Sequence, residues 1–280
     1  MSSIAINSNE YSAWTPFIHE LCGVHLDLSK KYLIETRLDR LRRETECATW
    51  SEFLYKAKKT DQIKLRSRII SAITTNETSF FRDKSPFELL QQKLIPDLID
   101  RRNRSGFKPV RMRILSTACS TGQEVYSIAM TLKELLGSFD GYAIRIDGID
   151  ISDQAVAQAS YAHYTHFELE RGVSPAMRYK YFESSGDRWK VKDELRALAS
   201  FKKCNILQPF LNTVPYDIIF CRNVAIYFKE EDKIRLFRNI GHVLAQDGAL
   251  IIGATESISG YCPEYVPMRY LRSVYYQKKQ

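Results

Sequence analysis

The stretch LSTACSTGQEVYS, Leu115 to Ser127, decides the fold class. An apolar run ending at Leu115 breaks into small residues and one glycine, and a helical pattern follows from Gln123. Strand, tight turn and helix in that order make the first half of a βα unit, the kind that holds nucleotides at strand ends. The three-glycine spacing of a dinucleotide fingerprint is missing. Small side chains at Ala118 to Thr121 let the backbone approach a ligand, and Gly122 is free to take a positive φ. Glu124 falls in the first helical turn, where a carboxylate repels phosphate and suits a cationic or amino-bearing ligand. Asp150 ends the next apolar run and matches the acidic residue that takes ribose hydroxyls in nucleotide folds. A positively charged nucleoside without phosphates, such as S-adenosyl-methionine, meets both demands. An unliganded βα turn is equally compatible with this loop alone.

Working outward, the chain from about Arg111 alternates strand and helix patterns. RMRILSTA reads as a strand, QEVYSIAMTLKELLG as a helix closing at Gly137, and YAIRIDGID as a second strand. SDQAVAQASYAHY reads as a helix from a Ser152/Asp153 cap, and YDIIFCRN as another strand. KEEDKIRLFRNIGHVLAQDG reads as a helix ending at its Asp-Gly turn, followed by the strand ALIIGAT. The tail YVPMRYLRSVYYQKK reads as one or two terminal strands. Such alternation predicts a mostly parallel sheet. Residues 181–205 interrupt it with an SGD turn between short strand-like pieces, predicting a small β insertion at about 178–203.

Upstream, residues 10–70 carry helical periodicity. PFIHELCGV ends near Gly23, TWSEFLYKAKK starts at Thr49 or Ser51, and DQIKLRSRIISAI follows. In DLSKKYLIETRLDRLRRETE, Ser29 is the candidate N-cap, and Tyr32, Leu33, Leu38 and Leu41 share one side. The polar face of that helix carries Lys30, Lys31, Arg37, Arg40, Arg42 and Arg43 against only Glu35 and Asp39. Thr74 to Ser79 are poor helix formers and read as a junction before a further helix through FELLQQKLIPDLIDRR. The expected division is a helical domain over 1–73, a linker over 74–110 and an α/β domain over 111–280.

The net charge of +8 points to an acidic partner. The six cysteines and five histidines show no metal-ligand spacing, so neither a metal site nor a disulfide framework is expected. No apolar stretch approaches the ~20 residues of a membrane span. MSSIAINSNEYSAW has no signal-peptide pattern, so the expectation is a cytoplasmic protein, read as a monomer.

The chain resembles the chemotaxis receptor methyltransferase family. The matching stretches are TTNETSFFR (74–82), ACSTGQEVYSIA (118–129), GIDIS (148–152), CNIL (204–207) and YDIIFCRNVAIYF (216–228), in the family's order. The resemblance implies an all-α N-terminal domain and a Rossmann-like S-adenosyl-methionine-dependent methyltransferase domain with a small inserted β subdomain. It implies that Asn76, Thr78 and Arg82 contact the cofactor region and that Ala118, Glu124 and Asp150 hold its methionine or nucleoside portions. Asn205 and Ile206 would flank adenine, Arg222 and Asn223 would line the floor, and Tyr227 would sit near the transferring methyl. Arg82 and Tyr227 are the catalytic candidates. The implied reaction turns glutamate side chains on the cytoplasmic helices of chemoreceptors into γ-methyl esters, leaving S-adenosyl-homocysteine. Lys30, Arg37, Arg40 and Arg43 would dock on those acidic helices.

The sequence departs from the family's usual pattern at Gln123, Val125 and Ser152, and in GATES (253–257) where GHSE is more usual. The short stretch around ESSGDRW predicts independence from a receptor tether peptide. A nucleic-acid methyltransferase would show an (N/D)PP(Y/F) motif where this chain has CRNV, and an NAD dehydrogenase is disfavoured by the missing glycines and by Glu124. A non-enzymatic adaptor that binds the cofactor as a regulatory ligand is the surviving alternative.

Overall fold

The structure, a computed structural model, describes residues 4–106, 108–210 and 214–279. Four helices begin the chain: α1 (Ser8–Cys22), α2 (Lys31–Glu44), α3 (Trp50–Lys58) and α4 (Ile63–Ile73). Capping boxes start α1 at Asn7/Glu10 and α3 at Thr49/Glu52, satisfying N–H groups that have no partner within the helix. Their apolar faces meet around Trp14, Trp50 and Phe53, and the Trp14 indole N–H donates to the Trp50 carbonyl at 3.1 Å.

Three expectations for α2 fail. Asp27, not Ser29, caps a 3-10 turn over Leu28–Lys30 that leads into the helix. Tyr32 is exposed, whereas Leu38 and Leu41 are buried as expected, Leu33 packs against the core, and Ile34 joins them. Arg42 is only 1% exposed and belongs to no basic surface. Its guanidinium donates to Asp39 (2.7 Å) and to the Cys47 and Ala48 carbonyls (2.7 and 3.1 Å), so charge and donors are satisfied inside.

The linker crosses to α5 (Ser85–Leu89) and α6 (Ile95–Arg104), joined by a π turn over Leu90–Leu94 that precedes Pro96. The linker lies hard against the α/β domain. A Cβ on Gly172 would stand 1.9 Å from the Phe80 carbonyl oxygen, so only glycine fits.

The α/β domain then runs β1 (Val110–Thr117), α7 (Gln123–Leu136), β2 (Tyr142–Asp150), α8 (Asp153–Tyr161) and β3 (His163–Tyr164). It continues through α9 (His166–Glu170), α10 (Pro175–Tyr181), β4 (Phe182–Ser185), β5 (Arg188–Val191), α11 (Asp193–Arg196) and β6 (Ala199–Lys203). β7 (Tyr216–Cys221), α12 (Glu230–Val243), β8 (Leu244–Ile252), β9 (Tyr265–Tyr270) and β10 (Ser273–Lys278) complete it. The main sheet has seven strands in the order β6-β2-β1-β7-β8-β10-β9. β6, β2, β1, β7 and β8 are parallel, and the terminal hairpin β9–β10 adds antiparallel to β8.

Two boundaries differ from expectation. β6 pairs parallel with β2 and is the edge of the main sheet, so the inserted sheet is only β3-β5-β4, spanning 163–191 rather than 178–203. The pattern hid β6 because most of an edge strand faces water. Helix α12 ends at Val243, before the Asp-Gly pair, because Leu244 is already a buried sheet residue. Asp247–Gly248 lie within β8 at a register shift, and a Cβ on Gly248 would meet the Asp217 carbonyl at 3.0 Å.

Candidate functional site

Sheet order reverses at β1, which has β2 on one side and β7 on the other, and the crevice at the carboxyl ends of these strands is the expected ligand position. A cleft of about 1400 Å³, counting solvent at its mouth, opens there. Its floor is the β1, β2, β6 and β7 strand ends; the linker and the helical domain form its walls.

The backbone turns sharply where it meets the cleft. Ala118 (φ 53°), Ser120 (φ 50°) and Asn223 (φ 57°) are all left-handed without being glycine. Such strain is retained where surrounding bonds hold it. Asp150 supplies one such bond, accepting the Ser120 N–H at 2.9 Å on one oxygen and the Ser152 N–H at 2.9 Å on the other. Burial pushes its carboxyl above the usual range, and those N–H bonds oppose the shift. Gly122 has the expected positive φ, 93°, but it lies outside the cleft. A Cβ there would meet Ala159 Cβ at 2.9 Å, so this glycine lets α7 and α8 pack closely rather than admitting a ligand.

Glu124 is not a bare carboxylate. Its Oε1 accepts from the Ser116 hydroxyl (2.7 Å) and its Oε2 from Arg222 Nη1 (2.7 Å). Arg222 Nη2 also donates to Asp83 Oδ2 and the Arg82 carbonyl, each at 2.8 Å. Two carboxylates share one guanidinium, so the group keeps a surplus negative charge that suits a cation. Arg82 lies between two left-handed residues, Phe81 (φ 50°) and Asp83 (φ 58°), and its Nη1 donates to the Glu77 carbonyl at 3.1 Å.

Asn76, Thr78, Arg82, Ala118, Glu124, Asp150, Asn205, Ile206, Arg222, Asn223 and Tyr227 all line this cleft. Of the cations expected to dock on the substrate, Lys30 and Arg37 also line it, whereas Arg40 and Arg43 lie elsewhere on α2. Arg37 donates to the Ile73 carbonyl at 2.6 Å and to Thr75 Oγ1 at 3.2 Å, which makes it part of the wall. The departures Gln123 and Val125 are buried away from the cleft, Gln123 accepting from Thr121 Oγ1 at 2.8 Å and Val125 in the sheet core. Sequence reasoning missed His25, Leu33, Glu77 and Phe87, which also line the cleft. Helical periodicity marks Leu33 and Phe87 only as core, and His25 carries no local signal. Its N–H donates to the Tyr227 carbonyl at 2.9 Å, joining the helical domain to the β7 side of the cleft.

Comparison with known proteins agrees with this architecture. The profile described as "CheR methyltransferase, SAM binding domain" matches residues 76–270, and "CheR methyltransferase, all-alpha domain" matches 9–74. The chain belongs to this family. It is 35% identical to a chemotaxis protein methyltransferase of Vibrio parahaemolyticus and 34% identical to chemotaxis protein methyltransferase 1 of Vibrio cholerae, each over 100% of both chains. It is 32% identical to chemotaxis protein methyltransferase 1 of Pseudomonas aeruginosa, over 96% of this chain and 98% of that one. The protein is therefore an S-adenosyl-methionine-dependent methyltransferase, with the Rossmann-like α/β domain and all-α N-terminal domain of its family. The cleft's donor set fits this cofactor: acceptors at Glu124 and Asp150 for amino and ribose groups, a cation at Arg82 for a carboxylate, and apolar Ile206 beside Asn205 for a base. Arg222 Nε is buried with no partner among the described residues, leaving one donor to spare at this strand end.

Proposed function

We propose that the protein methylates glutamate side chains on the cytoplasmic helices of chemoreceptors, forming γ-methyl esters that adapt chemosensory signalling. The observation that carries this reading is the sharing of one cleft by two sets of groups. Lys30, Arg37 and Arg82 of the helical domain and linker stand beside Glu124, Asp150 and Asn205 at the sheet ends. A cation-walled entrance leading to a nucleoside-type floor is what a carboxylate substrate and this cofactor together require. The relatives named as chemotaxis protein methyltransferases support the receptor as substrate.

When bound, S-adenosyl-methionine supplies an electrophilic methyl on a positively charged sulfur. A glutamate with an ordinary pKa of about 4.3 is ionised at neutral pH, so a carboxylate substrate would need no general base from the protein, the sulfonium leaving as neutral S-adenosyl-homocysteine. The protein's task is positioning and water exclusion. Asn76, Thr78, Glu124, Asp150, Asn205, Ile206 and Asn223 hold the cofactor portions. Arg82 orients the incoming carboxylate, since a guanidinium pairs both oxygens. Tyr227, the linker and the helical domain line the cleft, where they would shield the transferring methyl from water. Arg40 and Arg43, both solvent-exposed on α2, dock along the acidic receptor helix.

In this reading residues 1–73 serve recognition, the linker 74–110 completes the cofactor site, and 111–280 carry the chemistry. Among the described residues no helix is long and apolar enough to cross a membrane. The β4–β5 connection is only Gly186–Asp187, a short hairpin that supports binding without a tether peptide.

The test uses methyl-labelled S-adenosyl-methionine, the purified protein and receptor-bearing membranes, followed by mild alkali. Volatile labelled methanol released from the receptor band is the expected result. Background label together with retained S-adenosyl-homocysteine binding would favour the regulatory adaptor instead.

A further inference from the structure

The chain beyond β8 reads Gly253-Ala254-Thr255-Glu256, and its glutamate folds back against the end of β7. Glu256 Oε2 accepts the Asn223 N–H at 2.9 Å and the Gly253 N–H at 2.8 Å. Asn223 is the left-handed residue that turns the chain from β7 into the cleft. The three residues pack as a unit. A Cβ on Gly253 would stand 2.5 Å from Glu256 Oε2 and 3.1 Å from both Asn223 N and Asn223 Nδ2. The other carboxylate oxygen, Glu256 Oε1, is buried without a partner among the described residues. Glu256 itself does not line the cleft.

We infer that Glu256 is a positioning residue for cofactor binding: its carboxylate clamps the Asn223 backbone in the left-handed turn and so aims the Asn223 side chain into the cleft. The clamp also fixes the start of the turn that leads, through Val224 to Ile226, to Tyr227. Asparagine tolerates a left-handed φ better than most residues, but nothing intrinsic selects that state over an extended one. A charged acceptor on the N–H does select it. The inference rests on Asn223 contacting the cofactor, as proposed above.

The experiment measures S-adenosyl-homocysteine affinity by calorimetry, with thermal unfolding as the check on folding, for the full chain and a double-mutant cycle. Glu256→Ala should weaken binding about tenfold, the scale of one hydrogen bond to a charged group. Glu256→Gln, whose amide oxygen still accepts both N–H groups, should restore most of the affinity. In an Asn223→Gly background, where the aimed side chain is already gone, Glu256→Ala should change affinity little. Where Glu256→Ala does not fold, Glu256→Asp takes its place in the cycle, its carboxylate one methylene short of the turn. Unchanged affinity in the folded single variant overturns the inference, as does an equal loss in both backgrounds, which would mark a general structural role. A wild-type chain that does not bind the probe overturns the reading of the cleft, and this inference with it.

Discussion

Arg222 and Glu124 are joined 2.7 Å apart beneath the cleft, and the same guanidinium reaches Asp83 of the linker at 2.8 Å. With its side chain 2% exposed, Arg222 fastens the linker to the first turn of α7 through one buried cation. Removing it leaves Glu124 facing Asp83 without compensation. Arg222→Met should lower the unfolding free energy by about 3 kcal/mol, the usual cost of breaking a buried pair from one side. Urea unfolding measures this directly. A loss under about 1 kcal/mol would mean that water reaches the network, as it does for surface pairs.

Arg82 differs from Arg222 in having little structural duty. Its hydrogen bond is to the Glu77 carbonyl at 3.1 Å, and its side chain is half-buried at the cleft. Arg82→Ala should therefore leave the thermal midpoint nearly unchanged while lowering receptor methylation by about 100-fold, the scale of losing one transition-state donor. Arg82→Lys keeps the charge but loses the fork, and should recover only part of the rate. A near-normal rate in Arg82→Ala would remove this residue from the mechanism.

Periodicity made most of the fold legible, because β1, β2, β7 and the helices between them each bury one continuous apolar set. The site was harder to read. Counting glycines after β1 misled, since Ala118 and Ser120 take left-handed conformations with ordinary side chains, while Gly122 serves the α7–α8 contact. The charge of Glu124 was legible, but its pairing with Arg222, 98 positions away, was not. Arg42 read as a surface cation because the carbonyls of Cys47 and Ala48 that hold it are presented only when the chain reverses after α2. Nor could local pattern show that the helical domain walls the cofactor cleft, because the contact of His25 with Tyr227 joins segments about 200 positions apart, a separation that no sequence period reports.

Docking and cofactor binding should separate on α2. Arg40 pairs with Glu44 at 2.7 Å and Arg43 with Asp39 at 3.1 Å, both outside the cleft. Reversing both to glutamate creates like-charge neighbours one turn apart, a cost of a few tenths of a kcal/mol each. The fold should survive, and S-adenosyl-homocysteine affinity should hold. Receptor methylation should fall about tenfold through KM, and the deficit should shrink as salt is raised, because exposed charges are screened. Parallel loss of methylation and cofactor binding would point to misfolding rather than recognition.

On the sheet face away from α7, Asp147 gathers Ser200 Oγ at 2.5 Å, Arg145 Nε at 2.7 Å and the Tyr216 hydroxyl at 2.9 Å. Burial alone would raise its carboxyl pKa, but the bonds from Ser200, Arg145 and Tyr216 outweigh burial and hold it below the usual range. A carboxyl whose folded pKa is depressed stabilises the fold above its unfolded value of about 3.9, and that contribution is lost as pH falls through the folded value. Asp147→Asn keeps the shape and removes the charge. It should cost about 1–3 kcal/mol near neutral pH, the range for hydrogen bonds to a charged group. Denaturant unfolding of both proteins at descending pH should show the difference narrowing below about pH 4, where the carboxyl of the unfolded chain takes up a proton before the folded one does. A gap that stays constant through that window would assign the loss to geometry at Asp147, with its charge contributing nothing.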